Sequence, residues 1–95
     1  MSQHKILVVD DEPFICRSLT FVLKKGNYDV LEARNGEEAL AAIREHKPDL
    51  VFLDVMMPKI DGFQVTEEVR ADSTLDDIKI ILLICTVLKP AANFR

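Results

Sequence analysis

The chain is poor in the residues and patterns that mark several protein classes. Its 95 residues contain three glycines, four prolines and two cysteines, too few glycines and prolines for collagen or a low-complexity linker. Cys16 and Cys85 lie far apart without C-x-x-C spacing, so we expect both to be small buried apolar side chains. The amino-terminal apolar run has four residues before the first aspartate, too short for a signal peptide or membrane span. We therefore expect a cytoplasmic protein.

Positive charge is also scarce. Twelve lysines and arginines stand against sixteen acidic residues, a formal net charge of −4. That balance provides no basic surface for nucleic acid or an anionic membrane, so neither is expected as a direct partner. A composition with 48% hydrophobic and 29% charged residues is typical of a globular protein. The length predicts one domain, residues 1–95.

The hydrophobic pattern alternates between strands and helices. The runs 6–9 and 50–53 are almost purely apolar and each is followed by aspartate, a pattern typical of strands buried on both faces of a parallel sheet. Helices are predicted near 13–25, 37–46 and 63–71, and further strands at 28–33 and 78–88. This order predicts an α/β domain with a doubly wound parallel sheet.

Three aspartates follow the two apolar strands. Asp10, Asp11 and Asp54 stand at carboxyl ends, where open parallel sheets bind ligands. If the two strands are neighbours, the carboxylates converge and repel one another unless a cation neutralises them, and oxygen ligands suit Mg²⁺. Favourable charge at a helix N-terminus also explains Asp10, Asp11 and Glu12. It does not explain Asp54, because Val55-Met56-Met57-Pro58 is not a helix start.

The segments VVDDEP at 8–13 and LVFLDVMMPKIDG at 50–62 resemble the receiver domain of bacterial two-component response regulators. The resemblance runs from about Lys5 to Leu83. It implies a flavodoxin-like receiver fold with strand order 2-1-3-4-5. It also implies a signalling domain that takes part in its own phosphorylation and dephosphorylation, rather than an enzyme.

The same resemblance implies roles for individual residues. Asp54 matches the phosphoryl acceptor, which attacks the phosphohistidine of a sensor histidine kinase or phosphotransfer protein. Asp11 matches a direct Mg²⁺ ligand, together with Asp54 and the backbone carbonyl of Met56. Asp10 matches the residue that acts on the ion mainly through water.

The sequence departs from the receiver pattern after Leu83. The family's threonine or serine at the end of the fourth strand aligns with Ile84, so Thr86 is the candidate phosphoryl-contacting hydroxyl, two residues further along the same side of the strand. Lys89 resembles the family's phosphate-contacting lysine, but it follows Thr86 too closely for a parallel crossover. We therefore expect a receiver without its usual last strand and helices. The exposed fourth-strand region and the tail should then pair with a second copy as a homodimer.

Two other functions stay open at this stage. A receiver-derived chain with this tail could serve as an interaction or assembly module that no longer signals. An aspartyl-phosphate phosphatase would also use a strand-end aspartate and Mg²⁺, but Asp54-Val55-Met56 lacks the second acid of its D-x-D motif. Dinucleotide binding is disfavoured because no glycine-rich turn follows the first strand.

Overall fold

A computed structural model describes residues 4–57 and 60–83, apart from the side chains of Pro13, Ile15 and Cys16. The elements in chain order are β1 (Lys5–Val9), α1 (Pro13–Lys25), β2 (Asp29–Ala33), α2 (Gly36–His46), β3 (Leu50–Asp54), α3 (Gly62–Arg70), a 3-10 turn (Ser73–Leu75) and β4 (Lys79–Leu83). Within these ranges no helix combines the length and the apolar character needed to cross a bilayer.

The described strands form one parallel sheet in the order β2-β1-β3-β4. Val9 pairs with Leu53, and Leu53 pairs in turn with Leu82. β1 and β3 are thus neighbours, and the strand order agrees with the one that the resemblance implied. The predicted α/β class and the flavodoxin-like arrangement are confirmed.

Both faces of the sheet are covered, which explains the uninterrupted apolar runs. Leu7 and Val9 of β1 point into the larger core, beneath α2 and α3. Ile6 and Val8 point the other way, where Leu19 of α1 packs against them. A strand whose alternate side chains enter two cores is apolar at every position.

The starts of α2 and α3 are fixed by capping side chains. The Asn35 side chain accepts a hydrogen bond from the Glu38 amide at 2.8 Å, and Asp61 accepts one from the Gln64 amide at 2.9 Å. α2 and α3 therefore begin immediately after these residues, one position earlier than predicted. α1 has the predicted bounds of 13–25.

The amino-terminal ends of three strands are joined at Asp49. Its side chain accepts a hydrogen bond from the Lys5 amide at 2.8 Å, while its backbone carbonyl accepts one from the Lys79 amide at 3.1 Å. The Lys5 amide, helped by His4, holds the pKa of the Asp49 carboxyl below its ordinary value. This junction aligns the amino-terminal ends of the strands. It therefore also aligns their carboxyl-terminal ends on the opposite side of the sheet.

Several sequence predictions lie outside the described residues. They are the strand continuation over 84–88, the phosphoryl-contacting roles of Thr86 and Lys89, and the burial of Cys85; the side chain of Cys16 is likewise not described. They stay predictions.

Candidate functional site

The structure brings together the three aspartates at the carboxyl ends of β1 and β3. Because Val9 is paired with Leu53, the chain leaves the two strands side by side, at Asp10 and Asp54. One carboxylate oxygen from each of Asp10, Asp11 and Asp54 lies within 4.8 Å of the others. The geometry is that of a small anionic cluster at one edge of the sheet.

The three carboxylates differ in their exposure to solvent. Asp10 and Asp54 are fully buried, whereas Asp11 is exposed. Burying a charged group is unfavourable unless hydrogen bonds or an opposite charge compensate. The cluster therefore has two buried anionic groups behind one that faces solvent, an arrangement that favours a cation approaching from the Asp11 side.

Local backbone amides orient both buried carboxylates. Asp10 Oδ1 accepts a hydrogen bond from the Glu12 amide at 2.8 Å. Asp54 Oδ1 accepts one from the Met56 amide at 3.1 Å. In each case the donor lies two residues further along, so the chain turns at the strand end and the carboxylate stays at the cluster.

The helix-dipole explanation does not account for Asp10. α1 begins at Pro13 with Glu12 as its N-cap, and neither the cap side chain nor an acidic residue in the first turn satisfies the helix amides. Asp10 is instead buried at the strand end. Its position therefore needs an explanation other than favourable charge on an exposed helix start.

The start of α3 packs against the end of β3, next to Asp54. The Gly62 amide donates a hydrogen bond to the Val55 carbonyl at 3.1 Å. A Cβ at position 62 would lie 2.6 Å from the carbonyl oxygen of Asp54, so only glycine lets α3 begin this close to the strand. The sequence analysis did not identify this role of Gly62. Its only sign in the sequence is a glycine directly after the N-cap Asp61, and a glycine alone does not show which atoms pack against it.

Met56 lies between the end of β3 and the start of α3, and its side chain is exposed. Its amide contacts Asp54, as described, which places Met56 beside the cluster. The ligand role of its carbonyl stays a prediction. Met56 also occupies the position at which a D-x-D phosphatase motif has its second acid.

This combination of fold and site defines a class: doubly wound domains that carry an aspartate cluster at the carboxyl edge of a parallel sheet. The sequence profile of the response regulator receiver domain matches residues 6–91 of the chain. The chain therefore belongs to the response regulator receiver domain family, and its predicted place in two-component signal transduction is confirmed at that level. The match extends past Leu83, where the resemblance seen in the sequence ended.

Individual relatives agree with this assignment. The probable transcriptional regulator ycf27 of Porphyridium aerugineum is 48% identical over 83 residues, which are 87% of this chain and 33% of that protein. The chain thus spans about a third of the length of the curated relatives that it matches first.

Solved structures are similar as well. The N-terminal domain of a response regulator receiver protein from Methanoculleus marisnigri JR1 has a TM-score of 0.84 at 38% identity, covering 98% of this chain and 77% of that one. The response regulator TrrA from Thermotoga maritima, solved in complex with Mg²⁺-BeF, has a TM-score of 0.79 at 45% identity, covering 86% of this chain and 70% of that one.

Proposed function

We propose that this receiver domain accepts a phosphoryl group on Asp54 in a Mg²⁺-dependent reaction, from a sensor histidine kinase or phosphotransfer protein. The observation that carries the proposal is the convergence of Asp10, Asp11 and Asp54 within 4.8 Å at the sheet edge. Family membership supports it, because these residues stand in the acidic motifs through which the chain resembles receivers.

The donor set fits Mg²⁺. Carboxylate and carbonyl oxygens are the ligands that Mg²⁺ prefers, and it keeps several waters when few protein ligands are offered. Asp11 and Asp54 would hold the ion directly with the Met56 carbonyl, and Asp10 would act through water. When bound there, Mg²⁺ supplies charge neutralisation for phosphoryl transfer.

The chain's own contribution is to hold the nucleophile in place. The Met56 amide fixes the orientation of the Asp54 carboxylate, and burial of Asp54 keeps bulk water from its inner side. One carboxylate oxygen attacks phosphorus and forms an acyl phosphate. The phosphorus–nitrogen bond of the phosphohistidine breaks, and its electron pair leaves with the imidazole nitrogen.

The proposal is tested by the intact mass of the protein. We expect incubation with acetyl phosphate and Mg²⁺ to add one phosphoryl group, and we expect Asp54→Asn or removal of Mg²⁺ with EDTA to abolish the addition. Asp29→Asn is the matched control, because Asp29 is exposed at the start of β2, at the end of the sheet opposite the cluster. Labelling that persists in Asp54→Asn would contradict the assignment. A folded parent chain that is never labelled would favour the non-signalling assembly module instead.

Three further predictions stay proposals. We propose that residues 1–95 act as a single receiver domain, that the protein works in the cytoplasm without direct contact with nucleic acid, and that the fourth-strand region mediates homodimer formation. The last is supported by the place of β4 at the edge of the described sheet.

A further inference from the structure

Gly36 makes an unusually close contact with the segment that links β3 to α3. It is the first residue of α2, and Ile60 lies directly against it. A Cβ built on Gly36 would lie 2.7 Å from Ile60 Cβ, 2.7 Å from the Ile60 carbonyl oxygen and 2.9 Å from Ile60 Cγ2. Two of these atoms belong to the backbone or are bonded to it, so rotation of the Ile60 side chain cannot remove the overlap.

Space, and not backbone conformation, is what requires glycine at position 36. No glycine among the described residues has a positive φ, so the backbone of Gly36 is accessible to alanine. Any larger residue must therefore displace Ile60 or the start of α2. Ile60 itself packs against the main core, which limits its freedom to move.

Two residues after Ile60, Gly62 packs against the end of β3. That glycine lies against the Asp54 carbonyl and the Val55 Cα, and its amide is bonded to the Val55 carbonyl. Residues 60–62 are thus in contact with α2 on one side and with the end of β3 on the other. Val55 is followed directly by Met56, whose amide orients the carboxylate of Asp54.

We propose that Gly36 is a positioning residue for the Asp54 site: by having no side chain, it lets Ile60 and the start of α3 lie against α2, and Gly62 then holds the end of β3, with Asp54, beside Asp10 and Asp11. This inference rests on the proposed function of Asp54. Gly36 contacts no reacting group and acts through Ile60.

The test compares Gly36→Ala with Gly26→Ala. Gly26 is at the end of α1, and its added Cβ would approach ring atoms of the half-exposed Tyr28 at 3.0 and 3.2 Å and would be in ordinary contact with the Leu23 carbonyl oxygen at 3.4 Å. Both changes reduce the entropy of the unfolded chain equally, so the comparison isolates the contact with Ile60.

We expect Gly36→Ala to slow labelling by acetyl phosphate on the order of tenfold to a hundredfold, as a misplacement of about 1 Å in a reacting group does. Mg²⁺ binding, followed by NMR titration without a phosphodonor, should weaken as well. Gly26→Ala should match the parent chain in both measurements. A merely structural role would lower the melting temperature without changing the Mg²⁺ affinity of the folded protein.

The outcomes separate this inference from the proposed function. A parent chain that is never labelled would overturn the proposed function. A parent chain that is labelled at the same rate as Gly36→Ala, with equal Mg²⁺ affinity, would overturn this inference alone. If Gly36→Ala does not fold, Ile60→Gly removes both side-chain atoms of the same contact, Cβ and Cγ2, without creating overlap. Unchanged labelling and Mg²⁺ affinity in Ile60→Gly would overturn the inference equally.

Discussion

At the scale of single residues, the three aspartates of the cluster differ in their exposure to solvent. Asp10 and Asp54 are buried and receive backbone hydrogen bonds, whereas Asp11 faces solvent. The exposure of Asp11 supports its proposed direct contact with a partly hydrated ion. The proposed water-mediated role of Asp10 rests on the resemblance to receivers.

This division predicts unequal effects on Mg²⁺ affinity. Asp10→Asn should weaken binding about tenfold, as changes to groups around a metal's direct ligands do, and Asp11→Asn should weaken it more. Isothermal titration calorimetry with MgCl₂ on each folded variant measures the difference. Equal losses in the two variants would show that the direct and water-mediated roles are divided wrongly.

The sequence could predict the three aspartates because strand ends and acidic residues are local patterns. It could not predict Gly36 or Gly62 as part of the site. Their importance depends on distances to Ile60 and to the Asp54 carbonyl, which exist only after α2, α3 and the sheet have packed together. A glycine beside a capping residue looks the same in the sequence whether or not another backbone lies against it.

At the scale of elements, helix starts were predictable to within one residue because capping is a short-range interaction. The 3-10 turn Ser73–Leu75 was not predicted. It depends on Asp72, which accepts hydrogen bonds from the Thr74 amide at 3.0 Å and the Thr74 hydroxyl at 2.7 Å. Both bonds hold the pKa of the Asp72 carboxyl below its ordinary value, and the bond from the Thr74 hydroxyl has the larger effect.

The start of α3 provides a test at this scale. Asp61 and Gln64 form a reciprocal capping box. Asp61→Ala should lower the free energy of unfolding by about 1 kcal/mol, whereas Asp61→Asn should change it little, because asparagine caps as well as aspartate. Urea denaturation at neutral pH measures both. A similar loss in the two variants would mean that charge, and not the cap hydrogen bond, stabilises this helix start.

At the scale of the whole molecule, the described sheet has two outer strands, β2 and β4. Outer strands present unpaired backbone groups to other chains. On β4, Ile81 also leaves 44% of its surface exposed. Among the described residues, β4 therefore has both the outer backbone edge and the exposed apolar surface that the predicted homodimer requires.

We expect the chain to form dimers at micromolar concentration, and we expect Ile81→Asp to return it to monomers without unfolding it. Light scattering coupled to size-exclusion chromatography measures the mass, and circular dichroism checks the fold. Lys79→Glu is the control on the same strand, since Lys79 is exposed and the change alters charge without replacing an apolar residue. A parent chain that stays monomeric would contradict the homodimer.

The central claim is that one carboxylate, Asp54, receives the phosphoryl group. Reduction of the phosphorylated protein with borohydride converts an acyl phosphate on aspartate to homoserine, which tandem mass spectrometry locates in the sequence. We predict homoserine at position 54 and at no other aspartate, with none formed when Mg²⁺ is removed. Homoserine at Asp10 or Asp11, or at a residue outside the cluster, would contradict the account.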